Sequence, residues 1–164
     1  RMREPGLRLT ASDPDATRAI GARLASALLA AGLREPFVVG LTGDLGAGKT
    51  TLVGGLMAAL GHEGPARSPT YSLIEPYRLA GRDVYHCDLY RLRDPEELED
   101  LGLRDLLTGS SIVLVEWPER AADRLREPDL RLHLEYTDAG RQVAVTASSD
   151  AGRQVLSTLR LDGT

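Results

Sequence analysis

The sequence predicts an α/β fold built on a mixed sheet, with a parallel core, antiparallel hairpins and flanking helices. Three observations carry that prediction. Phe37, Val38, Val39, Gly40, Leu41 and Thr42 form a short apolar run with β-branched residues, the pattern of a buried strand. The segment that follows, Gly43-Asp44-Leu45-Gly46-Ala47-Gly48-Lys49-Thr50, fits the phosphate-loop pattern G-x-x-x-x-G-K-[ST] at every fixed position. Thr51 and Leu52 then open a stretch in which Leu52, Leu56 and Ala59 or Leu60 recur at helical spacing. A strand, a glycine-rich turn and a helix in that order direct backbone N–H groups and a helix N-terminus at one point, which is an anion site before any side chain is counted. The fold expected is therefore P-loop NTPase-like.

Lys49 is the only lysine, and the other nineteen basic residues are arginine. A compact ammonium on a flexible stem reaches into a crowded phosphate site where a planar guanidinium is too wide. At 164 residues the chain is expected to form a single domain, residues 1–164, with a core of its own. Apolar residues at 42% and charged residues at 27% match a soluble globular protein, and no apolar run reaches the ~20 residues of a membrane helix. No secretory h-region follows the basic residues at the start, so cytoplasmic residence and no membrane contact are expected. A net charge of −4 argues against a broad basic nucleic-acid face, so any role with nucleic acid is expected to be indirect. The lone Cys87 lies among strand residues and reads as a small buried hydrophobe rather than a nucleophile.

Taken in order, residues 7–10 alternate briefly as a first edge strand. Ser12-Asp13-Pro14 is an N-cap signal for a helix running to about residue 31, where Gly32 stops it. Ala16, Ile20, Leu24, Ala27, Leu28 and Ala31 give that helix one apolar face. After the loop helix, residues 61–65 break the chain and residues 67–72 read as a further loop. Pro69 stiffens it and biases Ser68 to an extended conformation. Thr70 then fits two roles, sensing of a γ-phosphate or a strand-entry turn with hydroxyl hydrogen bonds.

Residues 73–79 and 83–90 read as a hairpin around Ala80-Gly81-Arg82, with Asp88 near the end of its second strand. The stretch 93–101 carries an Asp N-cap, Pro95 and first-turn acids, so the acidic run is expected to be a solvated helix rather than a calcium loop. Ile112, Val113, Leu114 and Val115 end in Glu116, a Walker B-like arrangement in which an acid sits at the C-terminal end of a parallel strand. Residues 130–136 and 142–146 alternate around 138–141 as a second hairpin, with His133 on its polar phase. A short helix over 151–161 closes the chain.

Four of these stretches, namely Gly43 to Leu52, Ser68-Pro69-Thr70-Tyr71, His86-Cys87-Asp88-Leu89-Tyr90-Arg91 and Val115-Glu116-Trp117-Pro118-Glu119, together resemble the bacterial TsaE (YjeE) family. The resemblance runs from the first helix to the second hairpin. It implies a slow Mg²⁺-dependent ATPase required, with TsaD- and TsaB-type partner proteins, for making threonylcarbamoyladenosine in tRNA. Such a protein binds and resets the transferase, reaches tRNA only indirectly, and has room for self-association. The implied site has ATP on the backbone of Gly43, Asp44, Leu45, Gly46, Ala47 and Gly48 and on Lys49, Thr50 and Thr51. Thr50, Asp88 and Glu116 serve Mg²⁺, and Lys49, Thr70, Asp88 and Glu116 serve catalysis, with the division between Asp88 and Glu116 left open. Trp117 falls to the site or a partner surface, and Arg141 to the border of the adenine, with residues 12–17 beside it. A GTP-reading Asn-Lys-x-Asp segment cannot exist in a chain whose one lysine is already committed. A small-molecule phosphoryl transferase would need an acceptor pocket and an Arg-bearing lid that the sequence does not display.

Overall fold

The computed structural model describes residues 6–64 and 73–162. Seven strands form one sheet: β1 (Leu7–Ala11), β2 (Phe37–Gly43), β3 (Ile74–Leu79), β4 (Arg82–Asp88), β5 (Ile112–Glu116), β6 (Leu130–Thr137) and β7 (Gly140–Ala147). Their order is β1-β7-β6-β2-β5-β4-β3. The four central strands β6, β2, β5 and β4 are mutually parallel, while β7 and β1 on one side and β3 on the other add antiparallel margins. The expected class therefore holds, with β1 and β3 at the edges. Strand β5 and residues 37–41 of β2 are buried because both faces are covered, which explains their unbroken apolar runs.

Helices α1 (Pro14–Ala30), α2 (Lys49–Ala59) and α4 (Asp150–Asp162) contribute to one apolar layer with the sheet, in which α1 packs on α2 and α4. The Asp13 side chain caps α1 by accepting from Ala16 N at 2.8 Å, and Gly32 leaves the helix at φ +59°. Helices α1 and α2 meet through two glycines. A Cβ on Gly21 would lie 2.0 Å from the Leu52 carbonyl oxygen, and one on Gly55 2.0 Å from that of Arg18. Leu52 and Leu56 are buried as their spacing predicts, and Leu60 rather than Ala59 completes the face.

The opposite layer is built from Val38, Cys87, Val113 and Val115 of the sheet with Leu98, Leu103 and Ala121 from the connections. The acidic stretch departs from the expected helix over 93–101. Its regular part, α3 (Glu97–Asp100), is one turn, followed by a 3₁₀ turn at Leu103–Leu106. The N-terminal chemistry is present: Asp94 Oδ1 accepts from Glu96 N at 3.0 Å and Asp94 N donates to Glu97 Oε1 at 3.2 Å. The segment is short because the backbone from Pro95 closes i→i+3 bonds, Leu98 N to Pro95 O and Glu99 N to Glu96 O, and Gly102 ends it at φ +70°. Its acids are mostly exposed, and Arg124 pairs with Glu99 at 2.7 Å. The second hairpin is tighter than its sequence suggests. Only Asp138 and Ala139 form the turn, so Arg141 stands on β7 opposite Tyr136. Cys87 is fully buried, and burial pushes its thiol up to about 12, as suits an inert core residue.

Candidate functional site

The phosphate-loop segment joins the C-terminal end of β2 to α2, and three of its glycines have positive φ: Gly43 at +137°, Gly46 at +82° and Gly48 at +109°. At Gly43 space as well as conformation excludes a side chain. A Cβ on Gly43 would stand 2.4 Å from the Leu134 carbonyl oxygen, and one on Gly46 2.8 Å from the Tyr136 hydroxyl. Helix α2 begins at Lys49, so its first unbonded N–H groups belong to the loop.

Lys49 is buried, and its ammonium donates to Gly43 O at 2.5 Å and Asp44 O at 2.9 Å. The same nitrogen lies 4.3 Å from the centre of the Trp117 ring. Burial pushes Lys49 below the ordinary lysine range, and the carboxylates of Glu116, Glu119, Asp88 and Asp44 partly offset that shift. Leu45 is among the most exposed apolar side chains, at the outer tip of the loop.

The parallel strands next to β2 supply the acids. Registers place Glu116 beside Leu41 on one flank and beside Asp88 on the other, so both acids reach the C-terminal edge of the sheet next to the loop. Glu116 is 2% exposed. A carboxylate that deep needs partners. It has them in the Thr50 hydroxyl, which donates across both oxygens at 3.1 and 3.2 Å, and in His86 Nε2, 2.6 Å from Oε2. Asp88 is half-buried and accepts from Tyr90 N at 3.1 Å. Burial pushes its carboxyl up, the Glu116 charge adds to this, and the Tyr90 N–H, His86 and Arg91 oppose it. Among the described residues no three His, Cys, Asp or Glu side chains converge as a ready-made metal cage.

Trp117 has left-handed backbone, φ +60°, uncommon for a bulky residue. Its ring is 5.0 Å from Tyr90, and Arg120 lies over both rings. On the other side of the loop a cleft of about 150 Å³ is lined by Ser12, Asp13, Thr17, Gly48, Thr51 and Arg141. The Arg141 guanidinium stacks 4.0 Å from the centre of the Tyr136 ring.

The structure thus brings Lys49, Thr50, Glu116 and Trp117 into one constellation with Asp88 at its flank, and sets Thr51 and Arg141 beside a separate cleft that residues 12–17 help to line. Thr70, with Ser68, Pro69 and Tyr71, lies outside the described residues. Two members were not singled out by sequence reasoning. His86 is thirty residues from Glu116, and its only signal was its place in the His86 to Arg91 stretch. Tyr136 becomes visible only through its pairing with Arg141 across the turn. His133, expected on the polar phase, is half-exposed and hydrogen-bonds Thr42 Oγ1 at 2.7 Å and Glu135 at 3.0 Å.

The family model described as Threonylcarbamoyl adenosine biosynthesis protein TsaE matches residues 11–143. The Haemophilus influenzae tRNA threonylcarbamoyladenosine biosynthesis protein TsaE is 44% identical to this chain over 137 residues, 84% of this chain and 87% of its own. The protein of the same description from Bacillus subtilis is 38% identical over 138 residues, 82% of each chain. Among solved structures, the crystal structure of Bacillus subtilis YdiB aligns with a TM-score of 0.79 at 27% identity, over 100% of this chain and 99% of that one.

Proposed function

The chain belongs to the TsaE family, and from that premise we propose that it binds ATP with Mg²⁺, hydrolyses it slowly, and serves threonylcarbamoyladenosine formation in tRNA by engaging and resetting TsaD- and TsaB-type partners. The observation that carries the reading is the Thr50–Glu116 hydrogen bond, which ties the first turn of α2 to the acid at the end of β5. A loop with three positive-φ glycines accepts polyphosphate oxygens on its backbone N–H groups. Two adjacent carboxylates would repel a bare polyphosphate. A hard divalent cation between acid and phosphate reconciles the two, and a hydroxyl with one or two carboxylates is the oxygen donor set that Mg²⁺ accepts beside nucleotide phosphates and water.

In this reading Gly43 to Thr51 cradle the phosphates, and Lys49 exchanges the carbonyls of Gly43 and Asp44 for phosphate oxygens. Thr50 and Glu116 hold Mg²⁺, directly or through water; the ion, when bound, neutralises charge on the phosphate oxygens. Asp88, half-buried beside Glu116 at the end of β4, is assigned to ordering the attacking water. Thr70 keeps the γ-phosphate-sensing role that the family resemblance gives it. Arg141, stacked on Tyr136 at the edge of the cleft, borders the adenine, with Ser12, Asp13 and Thr17 across from it. No helix among the described residues is long and apolar enough to cross a membrane.

The test is reconstitution of tRNA threonylcarbamoylation with and without this chain, with ATP hydrolysis followed in parallel. The expected outcome is hydrolysis stimulated by the transferase partners and multiple rounds of tRNA modification only when the chain is present. Hydrolysis indifferent to those partners, or modification that cycles equally well without the chain, would overturn the reading.

A further inference from the structure

Along β4 the residues on the α2 side of the sheet are Val84, His86 and Asp88, and along β5 they are Ile112, Leu114 and Glu116. Val84, Ile112 and Leu114 are ordinary core residues. His86 is not: it is a polar ring, 1% exposed, in register with Leu114 and one rung below the acids. A buried imidazole without a hydrogen bond is unfavourable, and packing alone would be served better by an aliphatic side chain. Its Nε2 stands 2.6 Å from Glu116 Oε2. An ionised carboxylate only accepts, so the imidazole carries its proton on Nε2 and donates it there.

We propose that His86 is a positioning residue that fixes the Glu116 carboxylate for its work at the phosphate loop, holding Oε2 from the sheet side while Thr50 addresses the carboxylate from the helix side. The inference rests on the proposed ATP site and extends it by one residue. The two contacts differ in kind. Thr50 sits on the first turn of α2, and its hydroxyl is itself committed to the cation in the proposed site. His86 belongs to the sheet interior, has no part in binding the nucleotide, and remains as the hold on Glu116 when the Thr50 oxygen turns to the cation. A carboxylate fixed at Oε2 keeps Oε1 directed toward the loop instead of rotating about its terminal torsion, which is otherwise broad and soft.

The experiment compares His86→Gln, whose amide nitrogen reaches the place of Nε2, with His86→Met, which has similar reach and no donor. Each full-length variant is assayed for kcat and KM of partner-stimulated ATP hydrolysis, for calorimetric ATP binding with and without Mg²⁺, for Mg²⁺-free ADP binding, and for its thermal midpoint. His86→Met is expected to lower kcat about tenfold or more, the scale on which loss of a ligand's orienting partner is felt, with KM rising only as far as Mg²⁺-dependent ATP binding weakens. It is also expected to lose most of the Mg²⁺-dependent tightening of ATP while Mg²⁺-free ADP binding stays at the wild-type value. His86→Gln should restore both to within about threefold of wild type. Should His86→Met fail to fold, His86→Asn, polar but too short to reach Oε2, takes its place with the same expected loss. A folded His86→Met protein with wild-type kcat and Mg²⁺ response overturns the inference, and so do equal losses in the Gln and Met variants that follow their thermal midpoints. Failure of the underlying reading is seen separately: wild-type protein that neither binds nor hydrolyses ATP removes the site and His86's role together.

Discussion

At the scale of single residues the site combines groups that burial works against. Lys49 and Asp88 are both displaced toward their neutral forms by burial, Lys49 downward and Asp88 upward. For Asp88 the consequence can be signed. Between its ordinary value of 3.8 and its raised folded value, the folded chain holds the proton more tightly than the unfolded chain, so stability falls as pH rises through that window. Asp88→Asn removes the ionisation and keeps an oxygen to accept from Tyr90 N. The nucleotide-free variant should therefore melt above wild type at pH 7, with the gain fading as pH falls through that window and vanishing below 3.8, where Asp88 becomes protonated in both states. Thermal melts across that range check it; a gain that does not change with pH would show that ionisation is not the cause. Lys49, Thr50 and Glu116 were legible in the sequence because a loop motif is local and an acid ending an apolar strand marks its own position. The His86–Glu116 contact was not, since it depends on which strand lies beside β5 and in which register, and no local spacing encodes that.

At the scale of elements, the position of the loop depends on how closely α2 can approach α1. Gly21 and Gly55 bring each helix backbone against the other, and in the sequence they show only as weak helix formers. Their reason lies in the partner helix, 30 or more residues away. Gly55→Ala would place its methyl carbon against the backbone of Arg18, 2.0 Å from the carbonyl oxygen, so the helices must part. The expected result is a loss of about 1–3 kcal/mol, the range for overpacking a close-packed contact. Weaker ATP binding should accompany it, because α2 starts at Lys49. Denaturant unfolding and nucleotide titration measure the two effects, and a variant as stable as wild type would show that the close approach does not matter. The acidic segment teaches the complementary lesson. Its capping signals at Asp94 and Pro95 are real, but they start a tight i→i+3 turn, and capping residues alone do not set how far a helix continues.

At the scale of the whole molecule, the strand order explains why one edge of the sheet carries the chemistry. The parallel strands β2, β4 and β5 all end on the side where Gly43, Asp88 and Glu116 lie, the side on which open α/β sheets gather ligands. The hairpin β6–β7 closes the far flank and carries Tyr136 and Arg141 to the cleft beside the loop. Sequence patterns identified the strands and both hairpins; the order that sets β5 between β2 and β4 came from three-dimensional packing. A net charge of −4 argues against a broad basic nucleic-acid face on this chain. The central claim is that Glu116 makes this phosphate loop a hydrolase. The measurement that tests it most directly is phosphate release from ATP by wild-type and Glu116→Ala protein with TsaD- and TsaB-type partners, alongside ATP binding by each. Stimulated release by wild type is expected, with a fall of about 100-fold or more in the variant, the scale of a lost transition-state contact, while ATP still binds and the fold stays intact. Wild-type release by a folded Glu116→Ala protein would contradict it.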